Sequence, residues 1–197
     1  EINSKEASKL WTDLALQHDG QDRWYLEALG IGAEGRWDSF FPEWLNSVGD
    51  DWNEESGRDI IWRSRARNTP EYLTKIINSS DVSLEETARY LRAFDFQRDS
   101  PHKMNMLKQL VLQSPNEGSA KHTFVATEAL IRIDGFDIDS NPEVRNSINN
   151  LLRNAEGTVQ FTQLVKEYKL TEYYPSLMTI VTQKMNTPES VSAIKVL

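Results

Sequence analysis

"NTPEYLTKIINSSDVSLEETARYLRAFDF", residues 68–96, is the stretch on which the fold turns. It holds two helix starts of different design. Thr69-Pro70-Glu71 sets a capping hydroxyl, then a proline whose missing N–H is harmless in a first turn, then an acid near the positive end of the helix dipole. Ser83 followed three residues later by Glu86 is a capping box, in which each side chain satisfies the other's backbone N–H. After both starts the apolar residues return at steps of three and four rather than two. Two short helices joined by a short loop are the local expectation.

The same punctuation recurs along the chain. Ser100-Pro101, Asn141-Pro142-Glu143 and Thr187-Pro188-Glu189 repeat the cap, proline and acid device. "SKEASKLWTDLALQ" places Ala7, Leu10 and Leu14 at helical steps, with Ser4 as N-cap. "QDRWYLEALGIGAEG" follows a break at Asp19 and Gly20. "RWDSFFPEWLNSV" carries Phe40, Trp44 and Val48 on one stripe, with Pro42 expected in the first turn. "NEESGRDIIWRSRA" opens on Asn53 and two glutamates, which suits a helix N-terminus. The segments from 101 to 197 continue in the same texture, and no long stretch alternates with period two. The expectation is an all-α chain of about a dozen short helices, arranged as a HEAT-like α-solenoid of roughly five degenerate helix pairs within a single domain, 1–197. A compact irregular helical domain is the rival.

Composition bounds the function. Hydrophobic residues make up 39% and charged residues 26%, which suits a packed soluble domain. Lys+Arg is 22 against Asp+Glu 30, a formal net charge of -8, so a general nucleic-acid surface is not expected. No run approaches a membrane-spanning length, and the opening "EINSKEASKLW" has neither the basic nor the apolar region of a signal peptide. The absence of cysteine excludes disulfides, thiolate metal sites, a cysteine nucleophile and covalent c-type haem within this chain. Glu1 at the start, and a final "PESVSAIKVL" that begins like an amphipathic helix and stops on Val196 and Leu197, suggest a piece of a larger protein.

All six tryptophans, Trp11, Trp24, Trp37, Trp44, Trp52 and Trp62, fall in the first third. A bulky core is the expected use, with an aromatic sugar-binding groove as the alternative. In the same region "LALQHDGQDRWYLEALGIGAEGRWDSFFPEWL", "DWNEESGRDIIWRSRARNTPEYL" and "RYLRAFDF", in that order, resemble the large multidomain proteins described as PVC-type haem-binding CxxCH or "membrane-bound dehydrogenase" proteins. The specific likeness covers about residues 10–97. Members of that family look like a β-propeller, then a HEAT-like helical region, then a c-type cytochrome module. This chain resembles the helical middle. The resemblance implies an extracytoplasmic redox setting, haem c elsewhere in the full-length protein, and the propeller and cytochrome module as partners. It implies no active site in these residues.

Arg58, Arg63, Arg65 and Arg67 crowd around Trp62 in an acidic chain. On a helix extended through residue 66, Arg58, Ile61, Trp62 and Arg65 share an arc, and Ala88, Leu91 and Asp95 share one in "RYLRAFDF". A buried charge needs a partner, so a bridge from Arg65, or else Arg58, to a buried Asp95 is expected between these helices. The alternative is an anion or sugar-acid surface formed by Arg63, Arg67 and Trp62. "DGFDIDSNPE" gathers Asp134, Asp137, Asp139 and Asn141, but Pro142 and Ile148 stand where an EF-hand needs glycine and glutamate, so a polar loop is expected rather than calcium. His18, His102 and His122 are scattered, without HExxH. GxSxG, a P-loop and GxGxxG are absent, and "LGIGAEG" follows no strand. No catalytic residue and no metal ligand is assigned. A non-catalytic helical scaffold is the expected function, and a helical carbohydrate-active or sugar-binding module is the alternative.

Overall fold

The computed structural model describes residues 4–112, 119–138, 140 and 142–197. Among the described residues every regular element is helical, as expected. The chain divides into two compact units, Glu1–Lys103 and Met104–Leu197.

The first unit carries α1 (Ser4–Ala15), α2 (Arg23–Gly32), α3 (Trp37–Val48), α4 (Glu55–Arg63), α5 (Thr69–Asn78) and α6 (Leu84–Ala93). Short 3-10 turns at Gly49–Asn53 and Phe94–Phe96 follow α3 and α6, and α7 (Pro101–Leu112) crosses the division. Local chemistry sets several starts. Asp22 accepts from the N–H groups of Trp24 and Tyr25, and the Ser83–Glu86 capping box is complete. The Ser100 hydroxyl accepts from the Lys103 N–H. Thr69, read as a cap, is instead the first residue of α5, and its buried hydroxyl meets that of Ser64 at 2.8 Å. Pro42 lies inside α3 on its exposed side rather than in the first turn.

The core of this unit is aromatic. The Trp11 indole packs edge-on to Trp37 at 5.4 Å and stacks on Phe40 at 5.6 Å, while its Nε1 donates to the Leu29 carbonyl at 2.9 Å. One side chain thus ties α1 to both α2 and α3. The buried stripe of α1 is Ala7, Trp11 and Ala15; of the residues the sequence sets at helical steps, Leu10 and Leu14 lie on the outer face. At Gly57 the Gly49–Asn53 turn comes so close to α4 that a Cβ would stand 2.4 Å from the Trp52 carbonyl oxygen. Only glycine allows that approach.

The second unit carries α8 (Ala120–Ile131), α9 (Pro142–Ala155), α10 (Val159–Glu167), α11 (Tyr174–Gln183) and α12 (Pro188–Ile194), with a 3-10 turn at Thr171–Tyr173. Ser119, Thr158 and Thr187 cap α8, α10 and α12. Its core packs Val125, Leu130, Leu152, Phe161, Leu164 and Leu177. The Tyr168 hydroxyl donates to the Leu130 carbonyl at 3.0 Å, and burial, with Glu167 and Asp134 adding to it, pushes the phenol up to about 12. Among the described residues no helix is long and apolar enough to cross a membrane.

Candidate functional site

The arginine cluster is best understood from where α4 stops. The helix ends at Arg63, and Ser64 turns extended with ψ 149°. The Ser64 hydroxyl accepts from the Ala66 N–H and meets Thr69, so a serine turn replaces the next helical turn. Arg65 therefore leaves the arc on which the sequence placed it. Its Nη1 reaches back to the carbonyls of Trp62, Arg63 and Ser64 at 3.2, 2.9 and 2.6 Å, completing the negative end of α4. Its guanidinium also lies 5.2 Å from the centroid of the Phe96 ring.

α6 likewise ends early, at Ala93, and Asp95 falls in the 3-10 turn that follows, where it is exposed. The buried Arg65–Asp95 bridge expected from sequence is thereby corrected: both residues lie past their helix ends, and the carboxylate is not buried. Arg58, the second choice, donates through Nε to the Asn53 side chain at 3.1 Å. Buried Gln97 joins the two helix ends instead. Its amide donates to the carbonyls of Ser64 at 3.0 Å and Ala93 at 3.2 Å.

Arginine–carboxylate bridges do tie these helices together, through other residues. The buried carboxylate is Asp59 on α4. Its Oδ2 meets His18 Nε2 at 3.2 Å, and its Oδ1 accepts from Arg89 Nη2 of α6 at 2.6 Å. The Arg89 guanidinium stacks on Trp62 at 4.6 Å. Arg63 Nε donates to Glu27 of α2 at 2.9 Å. Arg67 is exposed and holds Asp38 of α3 through its Nε at 3.1 Å and its backbone N–H at 2.7 Å. Sequence reading missed Asp59, although a carboxylate directly before the apolar pair Ile60-Ile61 was a usable signal. Nothing local pointed to His18 and Arg89 as its partners.

Clefts open beside these bridges, and two of them adjoin Trp62 and Arg63. One, of about 390 Å³, is lined by Arg23, Glu55, Asp59, Trp62 and Arg89. His18 and Asp59 form an acid–base pair in kind, but both Asp59 oxygens are engaged in joining helices, and the His18 side chain is 1% exposed. A general base must reach its substrate's proton; this pair is placed to hold α4 and α6 to the loop after α1. The other cleft, of about 370 Å³, is lined by Arg63, Arg65, Arg98, Glu34, Trp37 and Phe96. Of the ligand surface expected from sequence, Arg63 lines this second cleft, Trp62 lines the first, and Arg67 lines a third, of about 530 Å³, with Arg65, Gln97, Arg98 and His102.

Gly30 shapes the second cleft. A Cβ there would stand 2.3 Å from the Arg63 guanidinium carbon. Gly30→Ala is expected to push Arg63 off α2, break its pair with Glu27 and cost about 1 kcal/mol, because the pair is only partly buried. Denaturant melts in the wild-type and Arg63→Ala backgrounds check it, since the cost should shrink when Arg63 is already gone.

Trp11, Trp37 and Trp44 are buried, Trp52 and Trp62 half-buried, and Trp24 exposed. Asp134 and Asp137 of the calcium-like loop are exposed, while Asp139 and Asn141 lie outside the described residues. Among the described residues, no three carboxylates or histidines gather as a metal site would need. Comparison with known proteins finds no family model, no curated protein and no solved structure that matches this chain.

Proposed function

We propose that the chain is a non-catalytic helical interaction module that docks neighbouring domains of a larger polypeptide. The observation that carries this reading is the outer face of α1 and α2. Leu10 and Leu14 stand one turn apart on α1, Trp24 and Ile31 stand two turns apart on α2, and all four are exposed, Trp24 by 82%. Apolar side chains at helical spacing on an outer face suit a partner surface. The burial of Trp11, Trp37 and Trp44 supports the same reading over a sugar-binding module, because it removes three rings from the surface such a module would use.

A HEAT-like stacking is part of the proposal. Its support is the order of contacts within each unit. α1 packs on α2 and α3, α2 on α4, α4 on α5 and α6; in the second unit α8 packs on α9 and α10, and α10 on α12. Apart from α7, each helix meets the next or the next but one, as in helical repeats. The setting rests on the resemblance of residues 10–97 to the helical middle of haem-binding CxxCH proteins. The partners are then a β-propeller and a cytochrome module that carries haem c, outside the cytoplasm.

The test uses the polypeptide encoded by the complete reading frame. Trp24 should be quenched less by acrylamide there than in the isolated chain, and Trp24→Ser should loosen the neighbouring domain while shifting the isolated chain's stability by no more than about 0.5 kcal/mol. A reading frame that adds no further domain, or equal quenching in both, overturns the proposal.

A further inference from the structure

We propose that the cleft walled by Arg63, Arg65 and Arg98 binds a small oxyanion, a carboxylate or a phosphate carried on a hydroxylated body of about hexose size. The cleft lies wholly in the first unit and does not depend on the docking reading. Three arginines from separate places line it: Arg63 from the last turn of α4, Arg65 from the loop beyond, and Arg98 from the segment after the Phe94–Phe96 turn.

Their donors are only partly engaged. Arg63 gives its Nε to Glu27, and Arg65 gives Nη1 to carbonyls. Arg98 has no ion-pair partner among the described residues. Planar guanidinium forks match the paired oxygens of carboxylate and phosphate. Two carboxylates also line the cleft, but Asp38 already holds Arg67, which leaves Glu34 as the nearby competitor.

The like charges also leave an imbalance. Burial, and then the charge of Arg63, push the Arg65 guanidinium down to about 10, with Glu27 opposing. An anion held in this cleft beside Arg63 and Arg65 relieves that repulsion. The volume of about 370 Å³ falls at the small end of ligand sites, and the mainly charged lining suits a hydroxylated body better than an apolar one.

Calorimetric titration of the whole chain at low salt tests this with four probes: glucose 6-phosphate, glucuronate, inorganic phosphate and neutral glucose. One of the two charged sugars should bind one to one, glucose should not, and affinity should fall as salt rises. Which charged sugar binds tells phosphate from carboxylate. Arg98→Gln, at an exposed position, should weaken binding about tenfold or more with unchanged melting. Glu34→Gln should strengthen it by removing the competing charge. Absence of binding by all three anions, equal binding of glucose, or Arg98→Gln binding like wild type overturns the proposal. Inorganic phosphate binding as tightly as glucose 6-phosphate overturns the hexose-sized body.

Discussion

Asp59→Ala is expected to destabilise the first unit by about 3 kcal/mol or more, the cost of breaking a buried, hydrogen-bonded charge pair. The Asp59 side chain is 10% exposed and uses both oxygens, one on His18 and one on Arg89. His18 Nδ1 has no hydrogen-bond partner among the described residues, so removing Asp59 strips the ring of its one bond in a buried place. Arg89 keeps its stack on Trp62, which limits the loss on that side. Asp59→Asn should cost less, since its oxygen still accepts from one neighbour. Asp95→Ala, at an exposed position, should stay within about 0.5 kcal/mol. Urea unfolding of the three variants ranks them. If Asp95→Ala costs as much as Asp59→Ala, the assignment of the buried carboxylate is wrong.

The sequence placed the buried carboxylate at Asp95 and passed over Asp59, and the reason is physical. Helix starts are local: the hydroxyl of Ser83 and the carboxylate of Glu86 sit within one turn of the N–H groups they satisfy, so "SLEE" could be read directly. The end of α4 is only partly local, and its local part has no fixed sequence signature. α4 stops because the Ser64 hydroxyl finds Thr69 and the Arg65 guanidinium turns back on the last carbonyls. The stop is then fastened from 33 residues away by Gln97. A helical wheel extended past Arg63 therefore put Arg65 on the wrong side, and extension past Ala93 did the same to Asp95. Periodicity likewise marks a stripe without saying which stripe faces inward. On α1 the small residues Ala7 and Ala15 flank Trp11 inside, while Leu10 and Leu14 are left out. The arginine-walled cleft was legible only as a surplus of arginine; Arg98 joins it through tertiary folding.

Trp44→Ala is expected to cost about 3–5 kcal/mol, the usual range for deleting a large buried aromatic. Trp44 is 1% exposed and stacks on Phe41 with centroids 5.6 Å apart. Phe41 meets Tyr72 edge-on at 5.6 Å, and Tyr72 meets Trp52 edge-on at 5.2 Å. These rings run from α3 to α5 and the Gly49–Asn53 turn, so a cavity beside Phe41 loosens a ring that is itself packed on α5. Near-UV circular dichroism should lose intensity along with stability, because the stacked partner Phe41 loses its fixed neighbour. Trp24→Ala on the outer face of α2 should leave both almost unchanged. The contrast bears on function as well as folding. A chain that used its tryptophans as a ligand surface would lose binding but little stability when Trp44 is removed. Loss of several kcal/mol at Trp44 with none at Trp24 places the first ring in the core and leaves the second free for a partner.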